Sequence, residues 1–513
     1  MSRVLLKNKI TGTTYVYECN SFWDKEKKKP SSTRTCIGKL DPTTGELIPS
    51  KRLASSPDLQ EQTASVKSIG ATQLLEEICQ RLQLDKILKS SFPEHWELIL
   101  SLAYFQAMDR KPLSKIEHWT EMHTHPHGKF IDHRRVSELL PQLTEEKQLV
   151  FFKKWAKLRL EEECLAYDIT SISSYSELNN MARFGYNRDE ESLPQINLAM
   201  LFGEQSQLPV YFRSLPGSIR DVSTVKHFLK MANFLQLKCP HVVMDKGFFS
   251  KDNLSGLLKN RIDFTVAVPF TCSLAREQVD RVRATIEHHE NFIQLNGQNL
   301  FCQSSIIKWE NRRLYVHIYY NAQAATEDYE SFLTRLHQWK EDLQSGTPRE
   351  ADQQYYDLYF LIKETPKRGR QVTYNQQAID AYKKSMAGFL VLVSNTRKDS
   401  IRALKGYRNK DCVEKAFDNL KNSIDSKRLR VHLDESMRGR LFIQFIALIF
   451  ISYIMKTAHE KDIFKLFGSV SGLLDELKLY NEVNISGLRK KICSERTKAQ
   501  KTILKAFDLP DLI

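Results

Sequence analysis

Cysteine pairing is missing from this chain. Cys19, Cys36, Cys79, Cys164, Cys239, Cys272, Cys302, Cys412 and Cys493 are scattered singly, with no C-x-x-C pair and an odd total of nine. That argues against a structural zinc site built from cysteines and against a disulfide framework, and it predicts reduced thiols in a cytoplasmic protein. Met1 to Lys7 has no long apolar core followed by a small-residue cleavage site, so no secretory signal is read. No internal repeat is evident. The one strongly apolar run, Leu441 to Met455, contains Gln444 and Ser452 and falls short of the roughly 20 residues that span a bilayer. It reads as a buried core helix, and no membrane partner is expected.

What is present is length and positive charge. A chain of 513 residues exceeds a single core and predicts several domains. Lys and Arg number 76 against 62 Asp and Glu, a net charge of +14, which favours a polyanionic partner such as nucleic acid. The excess is concentrated: residues 1–60 and 401–440 each hold 11 basic and 6 acidic side chains.

Residues 1–60 read as a small β domain. Val4–Leu6 and Thr14–Tyr17 alternate, and Thr11-Gly12 and Asp41-Pro42-Thr43-Thr44-Gly45 are turn signals. Lys25-Glu26-Lys27-Lys28-Lys29 is a solvated loop or a DNA-backbone contact, and Lys51 to Thr63 a polar linker. Residues 61–160 change to helical spacing, with Leu74, Leu75, Ile78 and Leu82 on one stripe. This helical domain is the candidate DNA-binding domain, although no segment reads as helix-turn-helix. His118, His123, His125, His127 and His133 surround a Pro-broken loop without cysteine partners, so zinc is not expected there.

From residue 161 the pattern is strand-like. Leu165–Ser171, Asn197–Phe202 and Leu208–Phe212 are strands, Val225–Leu235 a helix, and His241–Asp245 another short buried strand. That order predicts an α/β fold with an RNase H-like mixed-sheet catalytic core, its first part at residues 161–269. Residues 270–386 interrupt it as a β-rich insertion domain. Gly388–Ser394 restores a core strand, so residues 387–458 form the second part of the core, and residues 459–513 a helical C-terminal tail.

Three acids fall at informative places. Asp168 follows the apolar strand Cys164–Tyr167, Asp245 ends Val242–Met244, and Glu414 lies on a helix after the last core strand. On that helix Val413, Phe417 and Leu420 form an apolar stripe, while Tyr407, Lys410, Glu414 and Lys421 share another face. Acids converging from separate elements suit two metal ions about 4 Å apart, and neighbouring cations suit a phosphate backbone.

The same residues carry a resemblance. Tyr407, Lys410, Glu414 and Lys421 fit the Y-x-x-R-x-x-x-E-x-x-x-x-x-x-K signature of bacterial insertion-sequence transposases, with Lys where the family has Arg. Asp168 in Y-D-I-T-S and Asp245 in M-D-K-G-F-F-S resemble the two aspartate motifs, and Leu215-Pro216-Gly217-Ser218 with Asp221 resembles the family's P-G-N segment. The resemblance implies a DDE triad of Asp168, Asp245 and Glu414, serving as both catalytic and metal-binding residues for two Mg²⁺ or Mn²⁺ ions. It implies DNA-binding roles for Tyr407, Lys410 and Lys421, with Arg408 available to replace the missing Arg. A strand would be hydrolysed at each element end, and the exposed 3′-hydroxyl would join target DNA.

The implied partners are double-stranded DNA, as terminal inverted repeats and as target, and a second copy of the chain in a homodimeric synaptic complex. The implied place is the cytoplasm, associated with the nucleoid. In such enzymes an aromatic from the insertion traps a flipped base; Trp309 is the candidate, with core packing the more ordinary role. The competing readings are a non-catalytic DNA-binding regulator derived from a transposase, and an RNase H-like nuclease that cuts without joining.

Overall fold

The computed structural model describes residues 2–9, 11–24, 29–50, 64–159, 164–176, 178–186, 191–236, 241–365, 369–383, 386–423, 428–429, 431–485 and 492–509. Most of the Lys25–Lys29 run, the 51–63 linker and Lys367-Arg368 lie outside them. The chain divides into two compact units, residues 1–66 with 482–494, and residues 67–481 with 495–513.

The first unit is built on an antiparallel meander of β1 (Ser2–Lys7), β2 (Thr14–Asp24), β3 (Lys29–Leu40) and β4 (Leu47–Pro49), and β5 (Ala64–Ser68) is the next strand in the chain. Asp41 shapes the β3–β4 turn by accepting hydrogen bonds from the Thr43 and Thr44 amides at 2.8 and 3.2 Å.

In the second unit, β6 (Leu165–Ser174), β7 (Gln195–Gly203) and β8 (Pro209–Pro216) run antiparallel to their neighbours. On the other side of β6, β9 (His241–Met244) and β10 (Asp263–Ala267) are added in parallel. The sheet then continues through β16 (Phe389–Ser394), which pairs antiparallel with both β10 and β13. Beyond it lie β13 (Arg312–Tyr320), β12 (Gln298–Trp309) and β11 (Phe292–Leu295), and a short β17 (Arg428–Leu429) pairs with β6. The result is a ten-stranded mixed sheet with helices against it. All nine residues of β7 are buried, as expected for a strand covered on both faces.

Two features differ from the sequence expectation. Residues 292–320, read as part of an insertion domain at 270–386, are hydrogen-bonded strands of the main sheet: β13 pairs with β16 from Tyr315 through Tyr320. Alternating polar residues made them look like a separate β unit, whereas they are the half-exposed antiparallel edge of one sheet. The excursion outside the sheet begins at the helix Ala322–Ser345 and includes the helices Gln353–Tyr359 and Gln376–Lys383 and the hairpin of β14 (Phe360–Thr365) and β15 (Gly369–Tyr374). It closes its own small core around Phe332, Trp339, Tyr356 and Tyr359. Its two ends meet where the Asn321 amide donates to the Gly388 carbonyl at 2.8 Å. Gly388 has φ +75°, and a Cβ there would stand 2.5 Å from the Asn321 carbonyl, so glycine is required.

The apolar run is a buried core helix as expected, and the second difference is its length. It belongs to a 27-residue helix, Asp434–Glu460, long and apolar enough by composition to cross a membrane, with 78% of its most apolar window buried inside this unit. It is longer than the run because polar turns extend it at both ends, with Asp434 and Glu435 in the first turn, where negative charge suits the helix dipole. The helices between residues 70 and 159 share this core: Phe442 meets Phe92, Phe151 and Phe152, and Phe152 also meets Tyr211 and Phe212 of β8. The histidines nearby serve packing. His123 and His125 lie against Trp119, and burial pulls His125 down to about 4.

Phe442 is fully buried at the point where helices and sheet meet. Phe442→Ala should cost about 3–5 kcal/mol, read as a lower denaturant midpoint with unchanged slope.

Candidate active site

The site begins with strand register. Tyr167 of β6 pairs in parallel with Met244 of β9, so Asp168 and Asp245 follow at the same level of adjacent strands, with Cα atoms about 5 Å apart. In β6 Asp168 is the one position of ten that is not buried. Asp245 ends β9 and turns the chain, its Oδ1 accepting from the Lys246 amide at 2.8 Å.

The third acid arrives from a helix that is not the single run the sequence suggested. One helix, Ser400–Asn409, ends at Lys410, a second, Asp411–Asp418, follows, and a π turn covers Asn419–Ser423. Val413, Ala416, Phe417 and Leu420 are buried as the stripe requires, while Glu414 and Lys421 line an open cleft of about 340 Å³ together with Asp168, Asp245 and Asp221. Asp221 was not among the candidate site residues. It opens the helix Asp221–Phe234, and the signal that could have found it is its place just after the Pro216-Gly217 bend. Gly247 gives it room, since a Cβ there would come within 3.2 Å of Asp221 Oδ2.

Tyr407 and Lys410 are committed to the acids. The Tyr407 hydroxyl donates to Asp245 Oδ1 at 2.7 Å. The Lys410 ammonium, on a side chain 8% exposed, donates to Glu414 Oε1 at 2.5 Å and stands 3.9 Å from Asp245 Oδ2. Burial pushes the Asp245 carboxyl up, but the Tyr407 hydroxyl, Lys410 and the Lys246 amide outweigh it and hold Asp245 below its ordinary value. Burial pulls Lys410 down, and the bond to Glu414 with the charges of Asp245 and Asp168 raises it overall. Burial and the neighbouring Asp245 push the Tyr407 phenol up, so it stays a proton donor.

Two candidates are placed elsewhere. Arg408 faces a different groove, on the far side of the Glu414 helix, because each helical step turns the side chain by about 100°. It therefore does not replace the family's Arg at the carboxylates. Trp309 lies at the β12–β13 turn, paired with Arg312, whereas Tyr320, at the other end of β13, pairs with Phe389. Registers through β16, β10 and β9 put the Tyr320 end, not Trp309, at the Asp245 end of the sheet. The aromatic side chains there are Tyr320, Phe389, Tyr329 and Tyr382, around a small cavity beside Arg283.

The donor set tests well for a hard divalent cation. Carboxylate oxygens converge on an open cleft, and the place between Asp245 and Glu414 is already taken by a positive charge, the Lys410 ammonium. Among the described residues no three acidic, His or Cys side chains close on one point, and Lys410 stands between two of the acids. A metal would replace that ammonium as the counter-charge.

A search of curated proteins finds no match. Among solved structures, a cryo-EM piggyBac transposase synaptic complex with hairpin DNA aligns over 86% of this chain and 83% of that one, at 10% identity and a TM-score of 0.37. A family model described as a transposase DDE domain matches residues 159–450, which contain Asp168, Asp245 and Glu414 and more than half of the chain. The protein belongs to the DDE transposase family.

Proposed function

We propose that this chain is the transposase of a bacterial insertion sequence, which binds inverted-repeat ends as a homodimer and cleaves and joins DNA at Asp168, Asp245 and Glu414. The observation that carries the reading is the register that brings Asp168 and Asp245 out of adjacent parallel strands at one level, with Glu414 across the cleft. The strand order supports an RNase H-like core: three antiparallel strands, β6 to β8, with β9 and β10 added in parallel on the other side of β6. The place of action is the cytoplasm, at the nucleoid.

Asp168, Asp245 and Glu414 would hold two Mg²⁺ or Mn²⁺ ions, which when bound activate water and stabilise charge on the attacked phosphate. The water oxygen bonds to phosphorus and the P–O3′ bond breaks, leaving a 3′-hydroxyl. That hydroxyl then attacks a second phosphodiester and displaces its 3′-oxygen. No side chain of the protein needs to become the nucleophile: Thr170, Ser171 and Ser173 are buried and support the strand. Tyr407 orients Asp245, and Lys410 balances the carboxylates until the ions arrive. Lys421 lines the cleft wall, and its cation would meet a phosphate of the bound strand.

The regulator reading draws on one observation, the ammonium of Lys410 lodged among the acids. Metal affinity separates the two: a transposase displaces Lys410 at millimolar Mg²⁺, a regulator does not.

With linear DNA carrying the inverted repeats that flank the gene, wild type should cleave and join in Mg²⁺ or Mn²⁺. Asp245→Ala should lose about 1,000-fold in rate, corresponding to about 4 kcal/mol of barrier. Binding without cleavage by both proteins would establish the regulator, and cleavage without joined product the nuclease. Tyr407→Phe gives a second check. A carboxylate held below its ordinary value stabilises the fold above the unfolded-state pKa, and that contribution is lost as pH falls through the folded-state value. Without the Tyr407 bond the folded-state value rises towards the unfolded one, so the contribution is smaller and its loss is complete at higher pH, and the acid limb of the stability profile in metal-free buffer should move upward. An unmoved limb would remove Tyr407 from its positioning role.

A further inference from the structure

The large polar groove behind the Glu414 helix is not used by the chemistry above. It has a volume of about 570 Å³, and its wall includes Arg408 and Lys415, with Asp411 as its acid. Arg408 is half-buried and Lys415 exposed, and among the described residues neither takes part in an ion pair. Two hairpin tips rim the groove: Gln207 from the β7–β8 turn, φ +54°, and Asn296 from the β11–β12 turn, φ +51°. Both tips are exposed amides, and Lys456 reinforces the first by donating to the Gln205 carbonyl at 2.9 Å. The floor is apolar, with Phe202, Ala416 and Met455.

Glu414 and Lys415 are consecutive on one helix, so that helix is the wall between the carboxylate cleft and this groove. A helix with its side chains is about 10–12 Å across, and phosphates along one strand of a duplex advance about 3.4 Å each. A strand that crossed this helix from a reacting phosphate at the carboxylates would meet the groove about three phosphates away. Cations that form no ion pair among the described residues, exposed amides and adjacency to the acids suit a phosphodiester backbone.

Resting on the transposase reading, we infer that this groove is a second DNA-backbone site. Arg408 and Lys415 take phosphates about three nucleotides from the reacting bond, and the hairpin-tip amides complete the contact. The backbone belongs either to the transposon end or to the target duplex.

The test uses the full chain, with Arg408→Gln/Lys415→Gln beside wild type and the charge-conserving Arg408→Lys/Lys415→Arg, and thermal midpoints to check folding. Binding is measured against salt concentration for two probes, a duplex carrying the flanking inverted repeat and, with the pre-cleaved end already bound, a target duplex. Removing two phosphate contacts should lower the salt slope by about 1.8, and the charge-conserving pair should restore it. A drop on the inverted-repeat probe assigns the groove to the transposon end; a drop confined to the target duplex assigns it to target. Slopes unchanged on both probes in a folded variant would overturn the inference. If the wild type binds with the expected slope change in the variant yet never cleaves, the groove stands and the catalytic reading falls.

Discussion

Two carboxylates at one level of neighbouring parallel strands repel each other, and much of the surrounding structure answers that repulsion. Parallel pairing of β6 with β9 fixes Asp168 and Asp245 about one strand spacing apart. The fold supplies compensation from the Lys246 amide at the end of β9 and from the helices Ser400–Asn409 and Asp411–Asp418, which bring a hydroxyl and an ammonium to Asp245 and Glu414. Lys410 is the buried member of this set and Glu414 is exposed to solvent, so removing an acid from Lys410 leaves a buried ammonium less compensated.

The helices can do this because they are anchored independently of the charges. Val413, Ala416, Phe417 and Leu420 seat the second helix on the sheet. Leu404 packs with Leu392 and Ala267, and Tyr407 lies against the same cluster. Burial thus sets the position, and the polar groups inherit it. Lys410 stands between the two helices in helical conformation and meets Glu414 one turn further on, while Arg408 and Lys415 face the other groove.

The acids, the apolar stripe below Glu414 and the core strands were legible in the sequence because each obeys a simple period: alternation along strands, 3.6 along helices. The helical break at Lys410 was not legible, since no Gly or Pro marks it and both halves keep good helical spacing. Nor was the membership of residues 292–320 in the main sheet. A strand's pattern reports which faces are buried but not which strand it pairs with, and that pairing spans the long gap from β13 to β16. Asp221 was noted only beside the P-G-N-like segment and not counted with the site, because an acid in the first turn of a helix is ordinary; the cleft reveals what it faces.

The excursion between β13 and β16 leaves and re-enters the sheet at a closed base, where Asn321 and Gly388 meet. Its apolar cluster is its own, and the strands on either side already pair with each other. The entropy of closing a loop grows only with the logarithm of its length. The chain can therefore gain or lose residues at this point with little consequence for the acids on β6 and β9, which makes the excursion a place where the protein can diversify while its chemistry stays fixed.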